Sequence, residues 1–334
     1  MVQGRSEAII IVTAAVLALS TLAVSLRCYT RLYIVRAFGW DDKTMLTAIA
    51  LNIAFCICTF VGATYGIGQK NAWFLERPNN LHIALFSWWL GQIFYILTCV
   101  VAKTSIALTL LRITVVRTHA IILYIATTFN IIVGLLFFFF TIFQCKPIDF
   151  FWHRMTEHGS CLDPDILIGI AYLYTVVAAV NDFTIGLLPI FMIWNLQMRP
   201  RTKFSLAVIL GLGMVAGAAV IIRIPFLPNY KDKEFLYATW QISIWSNVEA
   251  NLGIAAGSMS TIRPLIRKLH STSFIARIRQ RTGTFQLPSR IRKSHRGGGG
   301  VYSPTSNNMY RSPTTVPADQ VLEQQNPSEE SLGR

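Results

Sequence analysis

The sequence predicts an all-α membrane protein, a bundle of seven transmembrane helices with its amino terminus outside and its carboxyl terminus in the cytosol. Hydrophobic residues make up 53% of the 334 positions and charged residues only 14%, and the mean hydropathy is +0.48. A water-soluble fold of this composition would lack the polar residues to cover its surface. The hydrophobic residues also gather in long runs, and basic residues stand mainly at the ends of those runs.

Seven apolar stretches are each near or above the roughly 20 residues that a helix needs to cross hydrocarbon. We expect helices because an unpaired backbone amide in lipid costs several kcal/mol. In chain order the stretches are 7–26, 43–65, 82–111, 119–143, 166–194, 204–224 and 236–260. Basic residues mark most of their ends, at Arg27, Arg112, Arg117, Arg199, Lys203, Lys233 and Arg263.

The distribution of Lys and Arg predicts the orientation. The first, third and fifth connections and the tail together carry 21 of these residues, and the opposite side carries 7. Cytosolic segments are the ones enriched in Lys and Arg, so the tail side is the cytosolic side. This placement accounts for the net charge of +14 without a nucleic-acid partner. We expect a multi-pass protein whose partner is the lipid bilayer, in the plasma membrane by default.

Composition divides the chain into three parts. Residues 7–264 form the predicted transmembrane domain. Residues 265–282 form a basic juxtamembrane segment, which anionic inner-leaflet lipids would attract at about 1 kcal/mol per charge. Residues 283–334 are rich in Arg, Ser, Gly, Pro and Gln and poor in apolar residues, so we predict a disordered cytosolic tail.

Cys145 and Cys161 share one polar connection, whereas the other four cysteines lie in or beside apolar stretches. An oxidising exterior would let these two thiols form a disulfide. The rival interpretation is a zinc site made of Cys145, His153, His158 and Cys161. Exposure beyond the membrane favours oxidation, so the disulfide is our prediction.

Four ionisable residues lie deep in the apolar stretches, namely Lys103, Asp182, Arg223 and Glu249. Each would cost at least about 2.5 kcal/mol if it were buried unpaired. The two carboxylates stand near the middle of their stretches, and side chains tilt toward helix amino termini, which aims both cations toward the midplane. We therefore expect Lys103 to pair with Asp182, and Arg223 with Glu249.

These buried charges have two interpretations. A buried ion pair with two arrangements of similar energy can act as a switch, or as a proton or ligand site. The same pairs can instead form a static clamp that fixes helix register. The sequence leaves both open.

Charged residues also gather at the predicted cytosolic face: Arg27, Arg31, Asp41, Asp42, Arg199, Arg201 and Lys203. The two aspartates begin the second stretch, where they can cap the helix amino terminus or hold one of the first two arginines. The last three basic residues would face a cytosolic signalling partner, although the orientation rule alone also requires basic residues there.

Three pairs of glycines have the spacing that places small residues on one helix face, at Gly62 and Gly66, Gly213 and Gly217, and Gly253 and Gly257. Such faces allow close approach of a neighbouring helix. We predict that they serve packing within the bundle rather than dimerisation.

Several function classes lack their required residues. A retinal Schiff base needs a lysine in the last stretch, but none occurs between Lys233 and Lys268. The histidines lie at stretch ends, in connections or in the tail, which argues against an intramembrane metallohydrolase. The sequence also has no P-loop, G-x-S-x-G or H-E-x-x-H motif. We expect no catalytic residue, no metal site and no cofactor.

An ordered series of short motifs runs along the chain. Its members include Arg27-x-x-x-Arg31, Gly-Trp-Asp41-Asp42, Tyr65-Gly-Ile-Gly68, Lys103-Thr-Ser-Ile-Ala-Leu, Gln144-Cys-x-Pro147, Asn181-Asp182, Leu188-Pro189 and Ile262-Arg263-Pro264. Their order and spacing resemble the fungal rhodopsin-domain family, which includes the Pth-type receptor-like proteins, over approximately residues 10–268. The resemblance implies a seven-helix fold that need not bind retinal, and for some members a role like that of G-protein-coupled receptors.

Two functions compete. The leading hypothesis is a receptor-like protein whose outer cavity binds a small-molecule or lipid ligand, and whose charge network transmits the change to the cytosolic connections. The alternative is a transporter or channel-like protein that uses Asp182 and Glu249 as midplane ion or proton sites. An odd number of spans and the lack of an evident inverted repeat count against the alternative.

Overall fold

The computed structural model describes residues 4–114, 116–153, 158–194, 213–259 and 261, and most of them are helical. The helices are α1 (Arg5–Tyr29, continued by a π-helical turn at Thr30–Val35), α2 (Trp40–Thr64), α3 (Asn71–Leu75), α4 (Pro78–Ile113), α5 (Arg117–Ile142), α6 (Pro164–Trp194), α7 (213–223, continued by a 3-10 segment at Ile224–Lys231), α8 (Phe235–Ala238) and α9 (Trp240–Met259).

Within the described residues, six segments are long and apolar enough to cross a membrane. They are Arg5–Val35, Trp40–Thr64, Asn79–Arg112, Arg117–Ile142, Pro164–Leu188 and Gly213–Lys231. The seventh predicted stretch corresponds to α9, whose 20 residues give about 30 Å of helix, the thickness of the hydrocarbon core. Helix α9 is not among the six because buried Ser, Asn and Glu residues lower its hydropathy.

The outward faces of these helices carry large apolar side chains. Ile11, Ile125 and Val180 are exposed by 61%, 65% and 58%, and many other aliphatic and aromatic residues resemble them. Apolar surface on this scale would promote aggregation in water, but it is the normal surface of a helix in contact with lipid. The chain is therefore a multi-pass membrane protein.

The two ends of the bundle differ in composition. At one end, Ser6 Oγ donates to the carbonyl of Ile67 at 2.7 Å, which joins the start of α1 to the turn after α2. A hydrophobic cluster at this end, the disulfide end, includes Ile9, Ile67, Phe74, Trp88, Cys145, Phe151 and Leu236. At the opposite end, the Arg27 end, Arg27 contacts Asp42 and the carbonyl of Gly257. Helices α1, α4 and α9 thus run from the disulfide end to the Arg27 end, and α2 runs in the opposite direction.

Helix α9 lies in the interior of the bundle. Its residues Asn247, Asn251, Ile254 and Ala255 are fully buried, and it packs against α1, α2 and α4. The main core beside it is built from α2, α4, α5, α6, α7 and α9, and it includes Phe55, Tyr95, Ile96, Phe137, Tyr174 and Ala250. A polar helix is stable in this position because its polar groups face other helices and not lipid.

The connection between α5 and α6 is a short antiparallel hairpin. Strand β1 (Cys145–Lys146) pairs with β2 (Ser160–Cys161), and the Lys146–Pro147 peptide bond is cis. Cys145 and Cys161 are joined by a disulfide, which confirms the predicted bond. Both thiols are consumed, so the rival zinc site loses its two sulfur ligands.

Several predictions fall on residues that the structure does not describe. The basic juxtamembrane segment 265–282, the tail 283–334 and the cytosolic-face residues Arg199, Arg201 and Lys203 all lie outside the described ranges. One glycine prediction is wrong: Gly66 follows the end of α2 in a turn with a φ of 120°, so it does not share a helix face with Gly62. Only glycine adopts that backbone conformation readily.

Candidate functional site

Lys103 of α4 lies between two carboxylates from other helices. Its Nζ is 3.0 Å from Asp182 Oδ2 in α6 and 3.7 Å from Glu249 Oε1 in α9. The same ammonium donates to the carbonyl of Ala178 at 3.3 Å. One cation therefore joins three helices.

Arg223, the last residue of α7, reaches the other oxygen of Glu249. Its Nη1 is 3.5 Å from Glu249 Oε2, and it donates to the Tyr95 hydroxyl and to Ser246 Oγ, the latter at 3.1 Å. Its Nη2 donates to Thr175 Oγ1 at 3.2 Å. The Tyr95 hydroxyl in turn donates to Glu249 Oε2 at 2.6 Å. We call Tyr95, Lys103, Asp182, Arg223 and Glu249 the central network.

The central network is balanced in formal charge, with two cations and two carboxylates. Lys103, Arg223 and Glu249 are buried and Asp182 is nearly so. Removing one member of such a buried group leaves an uncompensated charge, which costs about 3–5 kcal/mol. Glu249 contacts both cations, so it is the group through which a change at one cation would reach the other.

A cavity of about 50 Å³ adjoins the central network. Its polar wall includes Tyr95, Thr175, Arg223 and Ser246. The remaining wall is mostly apolar and aromatic, and includes Phe55, Ile67, Trp88, Phe137, Leu227, Tyr230 and Ile242. Several of these residues belong to the hydrophobic cluster of the disulfide end, so the cavity extends from the central network toward that end. An apolar cavity with a few convergent polar groups is typical of a small-molecule site.

Asparagines form a second polar cluster between α9, α2 and α1. Asn251 Oδ1 accepts hydrogen bonds from Ser20 Oγ and Asn52 Nδ2, both at 2.7 Å. Asn247 Nδ2 donates to Thr59 Oγ1 at 3.3 Å. We call Asn52, Asn247 and Asn251 the asparagine cluster. Hydrogen bonds of this kind between membrane helices contribute on average about 0.6 kcal/mol each.

Charged residues form a third cluster at the Arg27 end. Arg27 Nε donates to Asp42 Oδ1 at 2.8 Å, and Arg27 Nη2 donates to Asp41 Oδ2 at 3.0 Å. Arg31 Nη2 also donates to Asp41 Oδ2, at 2.9 Å. Thr109 of α4 joins the cluster through Arg27 Nη2 at 3.2 Å. Four helices therefore meet here, because Arg27 also bonds the Gly257 carbonyl of α9.

Both contacts considered for the aspartates, the helix cap and the ion pair with an arginine, occur in this cluster. Asp42 Oδ2 accepts from the backbone N–H of Gly39 at 3.1 Å, just before α2 begins, which is a local capping contact. The same carboxylate holds Arg27 and lies 3.4 Å from Arg31 Nε. The structure thus brings together four of the seven predicted cytosolic-face charges and all four predicted intramembrane charges.

Some residues of these clusters are absent from the sequence-based expectations, above all Tyr95 and the asparagine cluster. The sequence does contain a pattern that could have identified Tyr95 and the asparagine cluster. Tyr95, Cys99 and Lys103 recur every four residues, as do Ser243, Asn247 and Asn251. Residues four apart lie on one helix face, so a polar face inside an apolar stretch indicates an interhelical contact.

Comparison with known proteins gives a family match. The sequence model of the fungal rhodopsin domain matches residues 26–268. "Satratoxin biosynthesis SC1 cluster protein 4" of Stachybotrys chartarum is 29% identical over 132 residues, which cover 40% of this chain and 46% of that protein. A "SAT4 family membrane protein" of Emericella nidulans is 27% identical over 194 residues, 57% of this chain and 46% of that protein.

A third relative is "Fugralins biosynthesis cluster protein 2" of Gibberella zeae, which is 25% identical over 147 residues, 44% of this chain and 35% of that protein. The chain therefore spans less than half the length of each of these three relatives. No solved structure gives a significant match.

Proposed function

The chain belongs to the fungal rhodopsin domain family, and from that premise we propose that it is a receptor-like protein whose central network transmits ligand binding across the membrane. One observation carries the proposal: Tyr95 and Arg223 are members of the central network and also walls of the cavity. A ligand that contacts Arg223 changes how this cation is shared with Glu249. Glu249 can then move toward Lys103, its other cationic partner.

Helix α9 offers a rigid route from the cavity to the Arg27 end. It carries Glu249 in the central network, Asn251 in the asparagine cluster and Gly257, whose carbonyl accepts from Arg27 Nη1 at 3.1 Å. A displacement of Glu249 therefore acts on Arg27 through one continuous helix. The aspartates that hold Arg27 begin α2, so the connection between α1 and α2 would respond.

We further propose seven crossings, with α9 as the seventh and the disulfide end outside the plasma membrane. Its length supports α9 as a span. The disulfide supports the orientation because such bonds persist in oxidising compartments. Basic residues at the Arg27 end support it too. Signalling partners and anionic lipids would then meet the Arg27 end, Arg199, Arg201, Lys203 and the basic tail on the cytosolic side.

In this proposal the protein is neither an enzyme nor a retinal protein. Residues 234–267 contain no lysine, so α9 offers no Schiff-base amine to retinal. The names of two relatives refer to biosynthesis clusters. On that ground we propose that small products of fungal biosynthesis clusters are the first ligands to test.

The test reconstitutes the full chain in lipid vesicles with a fungal heterotrimeric G protein and measures guanine-nucleotide exchange. Glu249→Gln removes the charge that both cations share, so we expect a several-fold change in basal exchange relative to the wild type. Tyr95→Phe removes only the hydroxyl bridge and should shift exchange in the same direction, which keeps the test valid if Glu249→Gln folds poorly. The control is Asp165→Asn, which removes a carboxylate of the solvent-exposed pair with Lys231.

The same vesicles test the transporter alternative. Under a pH gradient we expect no proton uptake beyond that of protein-free vesicles, for the wild type and for Glu249→Gln. Proton uptake by the wild type that Asp182→Asn or Glu249→Gln abolishes would replace the receptor proposal with a transporter. Exchange rates that are equal in the wild type, Glu249→Gln and Tyr95→Phe would contradict a role of the central network in signalling.

A further inference from the structure

Two buried donors on the cavity walls have no acceptor in the described part of the chain. They are the indole N–H of Trp88 and the Nε–H of Arg223. Trp88 is 8% exposed and Arg223 is 4% exposed, so bulk water does not compensate for the missing acceptors. The neighbouring Trp89 is different, because its indole N–H donates to the carbonyl of Thr141 at 3.0 Å.

Three hydroxyl oxygens around Arg223 are already engaged. The Tyr95 hydroxyl donates to Glu249, the Thr175 hydroxyl donates to the carbonyl of Ala171 at 2.7 Å, and Ser246 Oγ accepts from Arg223. The two buried groups of this wall that lack a partner, the indole N–H of Trp88 and the Nε–H of Arg223, are both donors. The side chains of Ser87, Gln92 and Ser243 also line the cavity, and they can donate as well as accept. A complementary ligand has to bring an acceptor.

Charge balance and size restrict the ligand further. The central network has equal numbers of cations and carboxylates beside the cavity, so an anionic ligand would bring an uncompensated charge into a buried site. The volume of about 50 Å³ is about one third of that of an apolar protein cavity which accepts benzene. Only a few heavy atoms fit, and the aromatic walls favour an apolar body.

We infer that the cavity binds a short, neutral, largely apolar molecule, or the head of one, which presents a carbonyl oxygen to the N–H of Trp88 or to the Nε–H of Arg223. This inference names the ligand class of the proposed receptor site and rests on the proposed function for its biological role. The carbonyl compensates a donor that the chain leaves unpaired. The aromatic side chains Phe55, Phe137 and Tyr230 enclose the hydrocarbon part.

Acetone, isobutene and acetate provide the test, since they share a planar, three-branched shape of four heavy atoms. Each is titrated into the ¹⁵N-labelled full chain in lipid nanodiscs, while the indole and arginine Nε–H signals are followed by NMR. Trp88→Phe, Trp89→Phe and Arg223→Lys assign the signals. We expect acetone to displace the Trp88 or Arg223 Nε–H signal downfield in a saturable manner. The Trp89 indole signal should stay in place as an internal control, because it already has an acceptor.

Isobutene should cause no downfield displacement, and acetate should bind at least tenfold more weakly than acetone. If neither signal responds to acetone, if isobutene acts like acetone, or if acetate binds more tightly, the inference is wrong. Nucleotide exchange in the same preparation separates this failure from that of the receptor proposal. Displacement of a signal by acetone with no effect of any ligand on exchange would contradict the receptor role alone. Exchange driven by a compound that moves neither signal would contradict only the ligand class.

Discussion

Arg27 illustrates how one side chain can join four helices. Its guanidinium donates to Asp42, Asp41, Thr109 and the carbonyl of Gly257, and the residue is 1% exposed. Only a planar fork of donors can serve acceptors in this arrangement, so a lysine at this position would lose most of the contacts. Substitution of Arg27 therefore tests how much a buried charge contributes to the stability of this fold.

We predict that Arg27→Gln lowers the free energy of unfolding by about 3–5 kcal/mol, because Asp41 and Asp42 remain buried with reduced compensation. The measurement is a denaturation titration with sodium dodecyl sulfate in mixed micelles. Arg112→Gln is the matched control: its Nη1 is 3.8 Å from Asp41 Oδ1 and its side chain is 53% exposed. Its loss should cost no more than about 1 kcal/mol. Equal losses of unfolding free energy in the two variants would show that the burial of Arg27 does not contribute to stability.

The depth of each charge along its helix could be predicted from the sequence, but the rotation of each helix about its own axis could not. Helix rise together with the tilt of side chains toward helix amino termini pairs Lys103 with Asp182 and Arg223 with Glu249, and the structure gives these pairs distances of 3.0 and 3.5 Å. The contact of 3.7 Å between Lys103 and Glu249 depends on how far each helix is turned about its axis. The packing of all neighbouring helices determines this rotation, and a single sequence does not reveal it.

At the scale of the element, α9 is the helix for which hydropathy is least informative. Its polar residues Ser243, Asn247, Glu249 and Asn251 are all buried, so they contact other helices instead of lipid. The predicted stretch 236–260 includes α9, although its first residues form the separate short helix α8. Short elements such as α3, α8 and the disulfide hairpin lack a periodic signal of their own, since tertiary contacts hold them in place.

The two glycines of the α9 motif differ in their surroundings, which allows a matched prediction. A Cβ at Gly257 would lie 2.5 Å from Ile106 Cγ1 and 3.0 Å from Met45 Cε, whereas a Cβ at Gly253 would meet no atom within 4 Å. We predict that Gly257→Ala lowers the free energy of unfolding by about 1–3 kcal/mol through overpacking against α4 and α2. Gly253→Ala should be neutral or stabilise by up to about 1 kcal/mol, because alanine favours helix.

The same titration in mixed micelles measures both glycine variants. A smaller effect at Gly257 than at Gly253 would mean that the close approach of α9 to its neighbours is not needed. The second comparison combines Gly257→Ala with Ile106→Val in a double variant. The valine removes one methyl group at the crowded site. It should recover part of the loss caused by Gly257→Ala if overpacking is the cause.

At the scale of the whole molecule, the two ends of the bundle are suited to different compartments. The disulfide end has Cys145 bonded to Cys161 and a cluster of aromatic side chains around Trp88 and Phe235. The Arg27 end has Arg27, Arg31 and Arg112 near two aspartates. Oxidation favours the first end outside, and the excess of basic residues favours the second inside. The two criteria are independent, because one rests on thiol chemistry and the other on charge.

Opposite exposure of the two ends can be measured with single cysteines introduced by Glu76→Cys and Val116→Cys. Glu76 is exposed directly after α3, whose Phe74 belongs to the cluster of the disulfide end. Val116 is exposed between α4 and α5, four residues beyond Arg112 of the Arg27 end. In a background where Cys28, Cys56, Cys58 and Cys99 are alanine, a membrane-impermeant maleimide should label intact cells at position 76. Position 116 should react only after permeabilisation, because the proposed orientation places its end in the cytosol. Labelling of both positions in intact cells, or of position 116 alone, would overturn the orientation and with it the assignment of the cavity to an outside ligand.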